Sequence, residues 1–204
     1  MTRTQQQRRE ETISRLLDAS IDTIIEVGYA RATAKVITQR AQVSDGALFR
    51  HFATMGDFMA ATAYEAARRQ LEEIAKRVAE IPPDKPDLDA ALAIMRDITG
   101  NPTNTVMHEL AVAARTDERL RPPLKDVLTV YIAKIYDAAR SVFSAEELEA
   151  FGEENFAALV AVLVNSFDGA AIFRHVWAQP EIEDRRIPVL TSVLNAARPT
   201  GVEP

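Results

Sequence analysis

The chain has 204 residues, which is enough for one medium domain or for a small domain joined to a larger one. Apolar residues make up 47% of it and charged residues 26%, so a buried core and a soluble surface are both available. Cysteine is absent, which excludes disulfides, thiolate metal ligands and a cysteine nucleophile. The net charge is −6, but residues 1–51 carry +2 and the remainder −8, which is compatible with nucleic-acid binding at one end only.

The sequence shows no signal for a membrane or for secretion. No run of 18 apolar residues is present, and the longest strongly apolar stretch, residues 156–164, is about half of a membrane span. The polar, basic residues 1–9 are not followed by the apolar region of a secretory signal. We therefore expect a cytoplasmic protein with no membrane partner.

The pattern is helical throughout, because alternating β-type runs are absent and the glycines and prolines fall between helical segments, where they mark turns and helix ends. The first helix is predicted from about Arg8 to Val27, and Gly28 ends it. A short second helix is predicted over residues 33–41, a turn at residues 42–43, and a short third helix over residues 45–51. Ser44 suits the N-cap of that third helix.

Longer helices are predicted to follow. Thr54 and Asp57 resemble a capping box, which opens a fourth helix to about residue 80. Further helices are expected over residues 87–99, 101–115, 120–143 and 144–178. Pro180 is expected to end the preceding helix, and a last helix is expected over residues 182–197. The predicted fold class is all-α, with about nine helices.

The first 53 residues resemble the TetR (tetracycline-repressor-like) family of bacterial transcription regulators. The motifs that carry the resemblance, in the family's order and spacing, are Gly28-Tyr29, Thr33, Ile37, Arg40-Ala41, Val43-Ser44, Gly46, Leu48-Phe49 and His51-Phe52. The resemblance implies an N-terminal three-helix helix-turn-helix DNA-binding domain at residues 1–53. It also implies a C-terminal helical ligand-binding and dimerisation domain at residues 54–204.

Three residues depart from the family pattern. Gln42 stands where the turn glycine is usual. Phe49 replaces a tyrosine, and Met55 replaces a lysine, whose polar groups reach DNA phosphates in the family. Phosphate contacts supply much of the affinity of such proteins for DNA. A protein with weak or lost DNA binding therefore stays open as an alternative.

The predicted DNA-binding residues lie on the second and third helices. The N-terminal residues of the third helix are expected nearest the bases: Asp45 can accept from a cytosine amino group, Ala47 can pack on a thymine methyl, and Gly46 lets the backbone approach. The residues expected to flank the groove are Thr33, Lys35, Ser44, Phe49, Arg50 and His51. The alternative is an ordinary connecting turn within a helical bundle.

A second set of residues is predicted to contact a small, largely apolar ligand in the C-terminal domain. Polar groups on otherwise apolar helices need partners, so they either bond internally or face a pocket. The candidates are Asn104, Met107, His108, Tyr131, Asn165 and Asp168. His108 and His175 lack neighbours at metal-ligand spacing, so neither a metal nor a cofactor is expected.

The last two predicted helices are candidates for self-association. The segment from residue 156 to residue 177 is apolar on nearly every side, so it must be covered all round, by its own domain or by a partner subunit. The residues predicted to make a dimer contact are Phe173, Trp177, Leu190, Val193 and Leu194. The alternative is that both helices are internal.

These features favour one function over two others. The favoured function is a homodimeric, ligand-responsive transcriptional repressor that binds a palindromic operator in double-stranded DNA. The first alternative is a helical small-molecule-binding or interaction protein with weak or lost DNA binding. An enzyme is not expected, since the sequence contains neither a phosphate-binding glycine loop nor a recognisable nucleophile–base pair.

Overall fold

The computed structural model describes residues 4–82 and 88–197. Within them the chain forms helices and no strand, which confirms the predicted all-α class. A 3-10 turn at Tyr29–Arg31 accompanies ten α-helices: α1 (Gln5–Val27), α2 (Ala34–Arg40), α3 (Asp45–His51), α4 (Met55–Val78), α5 (Leu88–Thr99), α6 (Pro102–Ala113), α7 (Arg121–Arg140), α8 (Ala145–Phe151), α9 (Glu153–Phe173) and α10 (Pro180–Ala197).

The single helix expected over residues 144–178 is wrong, because α8 and α9 are separate. Gly152 lies between them with φ of +73°, a left-handed conformation that glycine adopts without a steric penalty and that ends a right-handed helix. The second helix of the pair stops at Phe173. Pro180 is the first residue of α10, where its fixed φ suits a helix start and its missing N–H costs nothing.

Two capping boxes fix helix starts in the N-terminal region. The box expected before α4 is confirmed: the Asp57 N–H donates to Thr54 Oγ1 at 3.0 Å, and the Thr54 N–H donates to Asp57 Oδ2 at 3.1 Å. A second box, which the sequence analysis missed, joins Thr4 and Gln7 and starts α1 three residues earlier than expected.

The chain divides into two compact units. Unit 1 comprises residues 4–70 and 102–131, and unit 2 comprises the remaining described residues. This division differs from the functional boundary expected between residues 53 and 54, because residues 55–70 of α4, all of α6 and the first half of α7 group with the N-terminal helices. The assignment of DNA binding to residues 1–53 and of ligand binding to residues 54–204 stays a prediction.

Unit 1 has one continuous core. Leu16, Ile21 and Ile24 of α1 are buried together with Leu48 of α3 and Phe58 of α4, and residues of α6 and α7 complete the cluster. The Phe52 and Phe58 rings pack with their centroids 4.9 Å apart. The Tyr29 N–H, just beyond α1, donates to Glu109 Oε2 of α6 at 3.0 Å. The helix-turn-helix segment therefore rests on a core that includes α6.

Unit 2 has two smaller apolar clusters. One joins α5, α9 and α10 through Leu92, Leu163, Phe167 and Leu194. The other consists of Ile74, Ile94 and Ile98, with half-buried neighbours from α4 and α7. Because each cluster covers only one side of its helices, much of α9 and α10 remains exposed.

Candidate functional site

The turn between α2 and α3 positions the candidate recognition helix. The Val43 N–H donates to the Thr38 carbonyl at 3.0 Å, and the Gln42 N–H donates to the Gln39 carbonyl at 3.1 Å, the two bonds of a Schellman motif. Gln42 has φ of +54° and is the one non-glycine residue with positive φ in the described chain. The family's usual glycine is thus missing from a position whose backbone favours glycine.

Helix α3 is anchored on one side and open on the other. Leu48 is fully buried in the unit 1 core. Of the nine predicted DNA-binding residues, Ala47 and His51 are half-buried, and the other seven are exposed: Thr33, Lys35, Ser44, Asp45, Gly46, Phe49 and Arg50. A Cβ atom at Gly46 would meet nothing within 4 Å, so a partner can approach the backbone there. Their DNA contacts stay predictions.

Three of these residues have local roles as well. The Thr38 hydroxyl donates to Asp45 Oδ1, which joins α2 to the first turn of α3. Thr33 caps α2, since its Oγ1 accepts from the Val36 N–H at 3.4 Å. Ser44 occupies the N-cap position of α3, as predicted, and its hydroxyl makes no capping hydrogen bond.

Charge near α3 is set by ion pairs and burial. Burial, together with the positive charges of Arg9 and Arg50, lowers the pKa of His51 below its usual 6.5. Arg40 makes a bidentate contact with Glu26 of α1, so its charge is locally neutralised. Arg31, Lys35 and Arg50, which also lie on or near α2 and α3, form no ion pair with a described carboxylate.

The residues at the two family phosphate positions differ in burial. Phe49 is 48% exposed and offers a ring without a hydroxyl. Met55, the first residue of α4, is half-buried and packs against the unit 1 core. The methionine therefore has a packing role that was not predicted from the sequence.

A buried chain of hydrogen bonds connects α4, α6 and α7 within unit 1. Tyr131 Oη donates to Gln70 Oε1 at 2.7 Å, and Gln70 Nε2 donates to Asn104 Oδ1 at 3.0 Å. Asn104 Nδ2 lies 3.2 Å from His108 Nε2. Gln70 and Asn104 are 3% and 4% exposed.

The structure brings together only part of the predicted ligand set. Asn104, His108 and Tyr131 belong to the chain of bonds just described, and Met107 is buried in the unit 1 core. Asn165 is exposed and Asp168 half-buried on α9, in unit 2. Gln70 was not predicted as a site residue, although the sequence carries a signal for it: Gln70 lies at helical spacing from the buried Ala63 and Ala66, where an apolar residue is expected.

The predicted dimer residues divide into exposed and buried ones. Phe173, Trp177 and Val193 are exposed, and Trp177 is 66% exposed. Leu190 is half-buried against the α5–α9–α10 cluster, and Leu194 is 5% exposed within it. Leu194 therefore stabilises the fold of unit 2 and is not available to a partner. Other large apolar residues are also exposed on α9, α10 and the segment between them, although they were not predicted as dimer contacts: Val162, Ile172, Val176, Ile182 and Val189.

The described residues hold neither a metal-binding cluster nor more than one helix apolar enough to span a membrane. No group of three or more histidine, aspartate or glutamate side chains there is arranged to hold a metal ion. One helix, α9, is long and apolar enough to cross a membrane by length and composition, although it contains Asp168. The buried residues of α9 pack in unit 2, as expected for a helix of which one side faces a protein core.

Comparisons with known proteins agree with this geometry. The family model of bacterial regulatory proteins, tetR family, matches residues 16–62, which include α2, the turn and α3. HTH-type transcriptional regulators of Mycobacterium tuberculosis (strain H37Rv) and Mycobacterium bovis are each 66% identical over 196 residues, covering 96% of this chain and 99% of theirs.

Solved structures share the fold at lower identity. A transcriptional regulator from Rhodococcus sp. Rha1 is 22% identical with a TM-score of 0.69, covering 94% of this chain and 99% of its own. The multidrug binding protein EbrR complexed with ethidium is 23% identical with a TM-score of 0.65, covering 89% and 97%. The extensive likeness to the mycobacterial regulators and the helix-turn-helix match lead to one assignment: the chain belongs to the TetR family of bacterial DNA-binding transcription regulators.

Proposed function

We propose that this regulator is a cytoplasmic homodimer that represses transcription by binding a palindromic operator and that responds to a small molecule. The observation that carries the DNA part is the presentation of α3: Leu48 is buried, whereas Asp45, Gly46 and Phe49 are exposed. A helix held in this way can enter the major groove with its N-terminal residues toward the bases. Operators of such dimers mirror the two-fold symmetry of the protein.

The DNA-binding experiment starts from a duplex selected from a random pool by the full-length protein. Dissociation constants are then measured across a range of salt concentrations. Lys35→Ala and Arg50→Ala should weaken binding to every duplex and reduce the salt slope by about 1 each, because each removes one phosphate contact. Asp45→Ala should instead change base preference at one position of each half-site, by about 1–3 kcal/mol.

Two outcomes would contradict the proposal. A salt slope unchanged by both alanine variants would show that neither cation approaches DNA. A wild-type protein that binds no duplex more tightly than random DNA would favour the alternative, a helical ligand-binding or interaction protein. The exposed Phe49 and the packed Met55 support that alternative, since neither residue offers a polar group to a phosphate.

The homodimer is supported by the exposed apolar side chains of α9 and α10. A contiguous exposed apolar surface is uncommon on monomers and is typical of an interaction surface. Phe173, Trp177 and Val193 remain the candidate contacts, and Val189 joins them as an exposed residue one helical turn from Val193. Leu194 is withdrawn, because a charge there would destabilise unit 2 itself.

The ligand response is supported by the polar chain within an apolar core. Gln70, Asn104 and His108 supply a few orienting groups beside the buried Met107, the composition typical of small-molecule sites. EbrR, which shares the fold, binds ethidium; we infer a largely apolar ligand for this chain as well. Neither a cofactor nor an enzymatic activity forms part of the proposal.

Mass spectrometry of the native protein tests for a co-purified ligand, and the identified compound is then titrated into the protein–operator complex. The compound should weaken operator binding, and Asn104→Ala should reduce that effect while leaving affinity for the operator unchanged. A compound that binds wild type and Asn104→Ala equally would remove Asn104 from the site.

A further inference from the structure

The turn between α2 and α3 receives a side chain from the first helix of the protein. Arg15 of α1 extends its guanidinium to this turn, and its Nη2 donates both to the Ala41 carbonyl and to the Gln42 carbonyl, the latter at 3.1 Å. These bonds span 26 and 27 residues of sequence. They therefore join α1 directly to the two residues at which the chain changes direction before α3.

We propose that Arg15 is a positioning residue for operator recognition: its guanidinium holds the turn in the left-handed conformation that Gln42, unlike the glycine usual in the family, adopts only with strain. The proposal rests on the proposed DNA-binding function. It assigns Arg15 no contact with DNA; Arg15 acts through the backbone of the turn.

The strain follows from the backbone at Gln42. At φ of +54° the Cβ of an L-residue approaches the carbonyl oxygen, so side chains other than glycine are disfavoured. The Schellman bonds from Gln42 and Val43 nevertheless require this conformation, since the chain must leave α2 and re-enter a helix within four residues. Another interaction must offset the strain locally.

Arg15 is suited to this task by chemistry and by position. The carbonyls of Ala41 and Gln42 lie past the last residue of α2, where the helix supplies no further N–H groups to satisfy them. The C-terminal end of a helix also carries partial negative charge, which attracts a cation. Each terminal guanidinium nitrogen carries two N–H donors, so Arg15 Nη2 can bond both carbonyl oxygens.

The turn also sets the direction of α3. On its other side, the Thr38 hydroxyl donates to Asp45, so the first turn of α3 is tied to α2 directly. Arg15 fixes the turn relative to α1, and the buried Leu48 fixes the middle of α3. Release of the Arg15 bonds would leave Leu48 and the Thr38–Asp45 bond in place but would free the turn from α1, so the N-terminal end of α3, which carries Asp45 and Gly46, would be held less firmly. Sequence-specific binding should suffer more than binding to random DNA.

The test is a double-mutant cycle in the full-length protein, with wild type, Arg15→Met, Gln42→Gly and the double variant. Each is measured for binding to the selected duplex and to a random duplex of equal length, and circular dichroism verifies helix content. Arg15→Met should lower affinity for the selected duplex at least 10-fold and for the random duplex less than 3-fold. In the Gln42→Gly background, the same substitution should lower selected-duplex affinity less than 3-fold, because glycine removes the strain.

Two further measurements keep the test decisive. Arg15→Lys retains the charge but not the planar fork, so it should lose part of the preference for the selected duplex; it also serves if Arg15→Met fails to fold. The Tm of the same four proteins is also measured. Arg15→Met should lower Tm less in the Gln42→Gly background than in the wild-type background.

The failures are distinguishable. Equal losses for both duplexes would show that Arg15 contributes only charge, and equal losses in both backgrounds would show that it does not compensate for Gln42; either result overturns the proposal. Absence of any preferred duplex for wild type would refute the DNA-binding function, and the Tm cycle would then decide alone whether Arg15 stabilises the turn.

Discussion

The two compact units differ in how completely they cover their apolar side chains. Unit 1 gathers buried residues of α1, α2, α3, α4, α6 and α7 into one cluster. Unit 2 divides its buried residues between two smaller clusters and exposes a series of large apolar side chains along α9, α10 and the segment between them, from Val162 to Val193. The exposed large apolar residues of unit 1, such as Phe49 and Tyr64, are scattered over several helices.

The comparison indicates which unit is complete as a monomer. Scattered exposed apolar residues are normal on soluble proteins, whereas many exposed apolar residues concentrated on two helices and the segment between them indicate a surface that is covered in the functional state. Unit 1 buries its apolar side chains in one core, and that core supports the candidate recognition helix α3. Unit 2 is expected to complete its core by association with a second copy. Four experiments test this contrast.

The largest effect is expected in the core of unit 1. Phe58→Ala removes a fully buried ring that packs against Phe52, so the free energy of unfolding should fall by about 3–5 kcal/mol. Urea denaturation followed by circular dichroism measures it. Tyr64→Ala, an exposed aromatic on the same helix, is the matched control and should change it by less than about 0.5 kcal/mol. Similar losses in both variants would mean that the unit 1 cluster is not a tight core.

The next largest effect concerns the exposed face of unit 2. Val189→Glu combined with Val193→Glu should raise the dimer dissociation constant about 100-fold, or about 2.7 kcal/mol, because two charges would have to be desolvated at the contact. Sedimentation velocity over a concentration series measures the shift, and circular dichroism should show unchanged helix content. Val112→Glu, an exposed valine of α6, should leave the association unchanged. A dimer equally stable in all three proteins would place the interface elsewhere.

A smaller effect is expected from the buried polar chain. Gln70→Leu removes the bonds that Gln70 makes to Asn104 and Tyr131, so the free energy of unfolding should fall by about 1–3 kcal/mol despite the gain in apolarity. Gln39→Leu, at an exposed glutamine, is the control. The Gln70→Leu/Asn104→Leu double variant should lose less unfolding free energy than the sum of the two single losses, because both residues belong to one hydrogen-bond network. Strict additivity would contradict the coupling.

The smallest effect concerns pH. Hydrogen bonds from Arg68 and then Arg69 lower the pKa of Glu65 from 4.5 to about 2. A carboxylate with a lowered folded-state pKa stabilises the fold above its unfolded pKa, and that contribution is lost as pH falls from about 4.5 to 2. After screening by solvent we expect about 1 kcal/mol. Urea denaturation between pH 5 and 2.5 should show a flatter decline for Glu65→Gln than for wild type or Glu73→Gln; parallel declines would remove Glu65 as a cause.

The helix boundaries of the N-terminal region could be predicted from the sequence because the signals that set them are local. Gly28, Thr33 and the Thr54–Asp57 pair act within a few residues, and the structure uses each at the end or start of a helix. The break between α8 and α9 was not predicted, because Gly152 lies within a helical sequence pattern. Only its left-handed φ shows that the helix stops there. Leu194 was predicted to make a dimer contact because one turn of α10 has apolar residues on two sides, and the sequence does not tell which side is buried in unit 2.

The sequence by itself determined the all-α class, the helix-turn-helix and the family, since helix periodicity, caps and a spaced motif are encoded by neighbouring residues. The tertiary structure decided which of those residues meet. Arg15 reaches Gln42 across 27 residues, and Gln70 meets Asn104 across 34. Burial of Leu194 beside the exposed Val193 likewise depends on where α5 and α9 pack. Such contacts depend on the packing of helices distant in sequence, and no local pattern specifies that packing.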